Sequence, residues 1–140
     1  MKALTLAPDW GMLMLQGDKT IDYRTWRTNY RGDVLICTSA KRIRGCISGH
    51  GILIAKLCDC VPFRKCHLDA AAMDRMPDDG FAWLFDDFRL IRPIPVKGKL
   101  GLFDVDASNL QIVPSDLPES EADNFVEQFI LPLIFQPVRQ

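Results

Sequence analysis

The residue types that can do chemistry crowd into one short stretch, Gly17-Asp18-Lys19-Thr20-Ile21-Asp22-Tyr23-Arg24. An ammonium at Lys19 and a carboxylate at Asp22 can read a base edge or pass a proton. The same pair can equally be an ordinary ion pair, worth roughly 0–1 kcal/mol if exposed. A regular strand would point residues 19 and 22 to opposite faces, so a working pair needs a bulge or an irregular strand start. Downstream, Arg24, Arg27, Arg31, Lys41 and Arg42 suit phosphate, because a guanidinium makes bidentate contacts. A solvated, aggregation-resisting edge would have the same composition. Ser39 and Thr38, beside Lys41, can donate to a phosphate or base, or simply cap a strand end. Trp10, Trp26, Tyr30 and Trp83 offer stacking surfaces worth about 1–3 kcal/mol per base. Trp10 also shares a helical stripe with Leu13 and Met14, as a core residue would.

Other chemistries fit poorly. Cys58, Cys60, Cys66 and His67 lack the Cys-x2-Cys spacing of zinc sites, and cysteines two apart on a strand share one face as small apolar residues. No oxyanion motif accompanies a cysteine with His50 or His67. Neither Gly45–Gly51 nor Gly98-Lys99 has phosphate-loop spacing. Neither a metal nor a cofactor is expected.

The elements that must hold these residues are short. Lys2–Leu6 reads as a strand, followed by a helix opened by Pro8 and Asp9 and ended at Gly17. Residues 19–24 read as a strand and 34–38 as an apolar strand. Residues 42–51 read as a loop with a mobile tip at Gly45–Gly49. Residues 52–61 read as a longer strand, which Pro62 ends or puts on an edge. Ala70-Ala71-Ala72 suggests a helix over 67–76. Residues 81–91 form an aromatic-rich segment and 96–105 a glycine-bent strand. Ser120 would cap a last helix with Phe125, Val126, Phe129 and Ile130 as its stripe, stopped by Pro132. Five or six short strands with two or three helices, not regularly alternating, favour an α+β, mainly β fold. The expected architecture is a small, strongly bent sheet or barrel flanked by helices.

Composition sets bounds. With 140 residues, 48% hydrophobic and 25% charged, the chain has the makings of one globular domain. A net charge of −1 argues against coating nucleic acid by bulk charge. The charge is uneven: residues 19–44 carry seven bases and two acids, a net +5, and residues 104–140 carry seven acids and one base, a net −6. The basic third can face an anionic ligand, or the clustering can be chance on a solvated surface. No apolar run is long enough to span a membrane, no signal sequence is recognisable, and five cysteines without a secretion signal point to the cytoplasm.

In order along the chain, Met1–Leu6 with Trp10, Gly17–Arg24, Trp26, Tyr30-Arg31-Gly32, Val34–Lys41, Asp59-Cys60-Val61-Pro62, and Phe81-Ala82-Trp83 through Pro95–Leu102 together resemble the ASCH domain family of the PUA-like superfamily. The resemblance covers residues 1–106 and leaves 107–140 as an acidic extension whose helix packs on the same domain. It implies a compact PUA-like β-barrel with helices beside it and a binding cleft along Gly17–Arg24. The implied partner is RNA or a nucleotide-like ligand, with no membrane role. On that reading Lys19, Asp22 and Ser39 meet the base, against Trp10 or Trp83, and Arg24, Arg31 and Lys41 hold phosphate. Some relatives are hydrolases of acetylated cytidine or RNA, which makes a metal-independent hydrolase using Lys19 and Asp22 the alternative. Here Asp22 stands where the amidohydrolases resemble one another in a threonine nucleophile, and a carboxylate replaces a hydroxyl poorly in acyl transfer. Ala7 stands where many members have tryptophan, and Cys37 where many have histidine. A third reading is a protein-interaction module built on the helix at 120–131.

Overall fold

The computed structural model describes residues 1–137. Six strands form a mixed sheet, β1 Lys2–Leu6, β2 Ile21–Arg24, β3 Gly32–Thr38, β4 His50–Pro62, β5 Phe81–Pro95 and β6 Leu102–Asp104. Their order is β2-β5-β4-β3-β1-β6, with β1 parallel to β3 and every other pair antiparallel. The sheet curls into a PUA-like half-barrel with two α-helices, α1 Pro8–Leu15 and α2 Glu119–Phe125.

The apolar run of β3 is explained by burial on both faces. Val34 and Ile36 belong to one core with Leu4, Leu6, Met12, Met14 and Trp83, while Leu35 and Cys37 belong to another with Ala3, Ile54, Ile91 and Phe103. Helix α1 seats on the first core so closely that a Cβ at Gly11 would stand 2.7 Å from the Thr38 methyl. Two strands are much longer than the sequence pattern suggests: β4 has 13 residues and β5 has 15. Their pairing breaks register three times, and such irregularities bend strands and hide alternation.

The helix expected over 67–76 does not form. The chain makes a single 3-10 turn, Lys65–His67, and then irregular turns. The carbonyls of Ala70 and Ala71 are taken by other partners: Thr20 and Ile21 N–H donate to Ala70, and Lys19 Nζ donates to Ala71. Ala72 adopts a left-handed φ of 56°. Tertiary hydrogen bonds thus override alanine's helix propensity. The expected strand over 96–105 shrinks to β6, three residues long. The loop tip at Gly45–Gly49 is held rather than free: Cys46 and Ile47 are buried, Gly45 N–H donates to Phe135 O, and Cys46 O accepts from Phe135 N–H. Pro118, not Ser120, precedes helix α2. That helix continues as a π-helical turn, Val126–Ile130, and Phe125 and Ile130 join the first core.

Ile36 is fully buried in β3 at the centre of the first core. Ile36→Ala is expected to lower the free energy of unfolding by about 2–5 kcal/mol, read as a lower urea midpoint at unchanged slope.

Candidate functional site

The C-terminus of α1 delivers Lys19 to its position. Gly17, at φ 85°, lets Gly17 N–H bond Met14 O and Asp18 N–H bond Leu13 O, a Schellman turn. Lys19 N–H then bonds Leu13 O as well, so the chain turns inward before β2 begins at Ile21. Lys19 therefore precedes the strand, and strand alternation does not separate it from Asp22.

Lys19 as a whole is 1% exposed. Its ammonium donates to Ala71 O at 2.8 Å, stands 3.6 Å from Asp22 Oδ1, and lies 4.5 Å from the centre of the Trp10 ring. The other Asp22 oxygen accepts from Arg24 Nε at 2.8 Å, and a terminal nitrogen of Arg24 donates to Thr5 O at 2.7 Å. One carboxylate is thus clamped between two cations, each of which is anchored to a backbone carbonyl. Burial pushes the Lys19 ammonium below its ordinary 10.5; Asp22 opposes that fall and Arg24 adds to it.

These groups line a cleft of about 240 Å³ whose walls include Thr5, Ala7, Trp10, Tyr23 and Met73. Tyr23 is fixed by its hydroxyl, which donates to Asp79 O at 3.1 Å, and its ring abuts Gly80, where a Cβ would lie 2.3 Å from the ring. Thr5 Oγ1 is the one buried side-chain polar atom without a partner among the described residues. Thr5 and Arg24 also line a second, adjoining groove of about 420 Å³, formed with Ser39, Ala40 and residues 96–101.

Of the residues singled out in the sequence, Trp10, Lys19, Asp22 and Arg24 meet in the cleft, and Ser39 lies in the adjoining groove. Arg27, Thr38, Arg42, Trp26 and Tyr30 line neither hollow, and three residues expected to meet the ligand do not join the cleft residues. Trp83 is fully buried, donates its indole N–H to Trp26 O at 3.2 Å and packs edge-on against Trp26, so it is core. Arg31 is turned to the carbonyls of Thr28 and Tyr30 and to Asp59. Lys41 is exposed and lines neither the cleft nor the groove. Sequence reasoning missed Thr5, Met73, Lys97 and Lys99; Gly98 between the two lysines and Gly101 just after them were the available signal of a loop rather than a strand. Among the described residues no three His, Cys, Asp or Glu side chains gather as a metal site.

Two outcomes test the clamp. Asp22→Ala strands a buried ammonium and is expected to cost about 3–5 kcal/mol of stability in denaturant unfolding. The lowered pKa of Lys19 means that the unfolded chain holds this proton to higher pH than the folded one, so its contribution rises with pH up to 10.5. The stability difference between the native protein and Lys19→Met should therefore grow in favour of the native protein as pH approaches 10.5. Cys37 works the other way, because burial raises its thiol from 9.0 to about 12 and stability falls above pH 9.0. Both proteins carry Cys37, and its effect cancels in the difference.

Residues 4–105 match the ASCH domain family. No curated protein matches the chain. Among solved structures, the ASCH protein of Zymomonas mobilis is similar at a TM-score of 0.55 and 16% identity, over 91% of this chain and 94% of that one. A serine-to-alanine mutant of that protein gives 0.57 at 15% identity, over 90% and 94%. A tyrosine-to-phenylalanine mutant gives 0.54 at 15%, over 91% and 96%. At such identities the structural likeness concerns the fold, and it agrees with the family match. With most of its length inside that match, the chain belongs to the ASCH domain family and has its PUA-like fold.

Proposed function

We propose that this protein binds RNA or another nucleobase-containing ligand, with the base in the cleft of Trp10, Lys19, Asp22 and Arg24. The observation that carries the reading is the clamped carboxylate. Asp22 is held by two cations, yet 9% of its side chain still reaches solvent, and a carboxylate offers about four acceptor positions. It can accept from an exocyclic amine while Arg24 and the unpartnered Thr5 hydroxyl offer neighbouring contacts. Trp10 supplies an aromatic wall. A volume of about 240 Å³ falls below the range of about 300–1,000 Å³ typical of drug-sized ligands, which suits a base better than a whole nucleotide. Lys19, nearly sealed off, acts here as a positioning residue that fixes Asp22.

Nucleobase binding should weaken roughly tenfold or more in Asp22→Asn, the loss expected for one charged hydrogen bond. Met73→Trp keeps all the ion-pairing residues while filling the cleft they line, and should abolish binding. Calorimetry with nucleosides and short RNA, on variants whose melting shows them folded, checks both. Unchanged affinity in both variants would remove the cleft from the argument.

One observation favours a second reading, a hydrolase of a modified nucleoside or RNA: the depressed pKa of Lys19 beside a carboxylate makes an acid–base couple. Turnover of an N-acetylated nucleoside or labelled RNA, lost in Lys19→Met, is the result that would select it over binding.

A further inference from the structure

The groove beside the cleft differs from it in chemistry. Its lining contains three cations, Arg24, Lys97 and Lys99, with the Ser39 hydroxyl and no acid. Lys97 and Lys99 are exposed, and neither enters an ion pair among the described residues. Lys97 and Lys99 also line a depression on the other side of their loop with Asp104 and Asp106, but Asp104 is paired with Lys2 and Asp106 accepts from Ser108 N–H, and neither lysine pairs with either acid. Cleft and groove share Thr5 and Arg24 as a common wall. The loop can lie this close because residue 98 is glycine; a Cβ there would stand 2.9 Å from the Thr5 methyl and 3.0 Å from its hydroxyl. Between Gly98 and Gly101, the latter at φ 71°, Leu100 lines the groove with its side chain fully exposed. Beside a sugar or a second base that side chain would bury apolar surface.

We propose that the groove holds the phosphodiester backbone of a single-stranded RNA whose base occupies the cleft, so that the ligand is a strand and not a free nucleoside. This rests on the cleft reading and extends it. Lys97 and Lys99 neutralise successive phosphates, Ser39 donates to one of them, and Leu100 lies against the adjoining nucleotide. Arg24 spans both parts, holding Asp22 with Nε and facing the groove.

The test compares the four ribonucleosides with an eight-nucleotide single-stranded RNA of mixed sequence, on the native protein, on Lys97→Gln/Lys99→Gln and on Met73→Trp. The double variant changes only exposed loop side chains and should stay folded. The RNA should bind the native protein at least about tenfold more tightly than any nucleoside at moderate salt. The slope of log K against log salt should flatten by about 1.4 in the double variant, the release expected for two single-strand contacts. Nucleoside affinity in that variant should be unchanged. Equal affinity for RNA and nucleoside, or an unchanged salt slope, overturns the groove while leaving the cleft reading intact. Binding insensitive to Met73→Trp overturns the cleft reading and the inference with it.

Discussion

A buried ammonium ties this fold together where it is functionally most interesting. Lys19 cannot be left unpaired in the interior, since an isolated charge there costs several kcal/mol. The chain answers from three directions: the carbonyl of Ala71, the carboxylate of Asp22 and the ring of Trp10. Those partners come from the loop before β5, from β2 and from α1. The single charge therefore ties together three segments that are joined otherwise by only a few backbone bonds at the start of β2, and the cleft is the space left between them. Arg24 extends the same network to β1 through Thr5.

The demand explains local features that otherwise look like errors. Three alanines in a row should be helical, yet Ala71 has to present its carbonyl to Lys19 and Ala70 its own to the start of β2. A helix would have consumed both. The left-handed Ala72 follows from the same constraint, at a cost of about 1–2 kcal/mol for a residue with a Cβ. Strained backbone of this kind persists only where surrounding contacts over-determine it, as they do here beside the cleft.

What could be read from the sequence follows the range of the forces involved. Gly17 as helix terminator and Pro8 as helix opener are local, and both stand where their chemistry places them. The two-sided burial of β3 shows as an unbroken apolar run. The need for an irregular start to β2, if Lys19 and Asp22 were to meet, follows from strand geometry, and the chain meets it by placing Lys19 ahead of the strand. Strand β4 showed as an apolar run, but β5 and the full length of its pairing with β4 did not, because three register breaks erase the alternation. Trp83 was ambiguous because indole serves a core and a stacking platform equally well; its neighbours on β4 and the carbonyl of Trp26 decide the matter, and none of these is near it in sequence.

Charge shows most clearly why counting residues misleads. The segment 19–44 carries a net +5, yet its cations are spent unevenly. Lys19 and Arg24 are committed to Asp22, Arg31 to carbonyls and Asp59, and Arg42 lies over Phe135, 5.4 Å from the ring centre. Lysines 97 and 99 come from a segment outside that basic stretch, read from the sequence as a glycine-bent strand, and they line a groove without acids on one side of their loop. An anion responds to the field left after internal pairing, and that field is focused where low-dielectric walls meet cations with no partner. The position of a phosphate site is therefore set less by where basic residues are dense than by where the fold leaves them uncompensated beside a cavity. In this chain the uncompensated cations beside a cavity are those of the loop that Gly98 allows to close on Thr5.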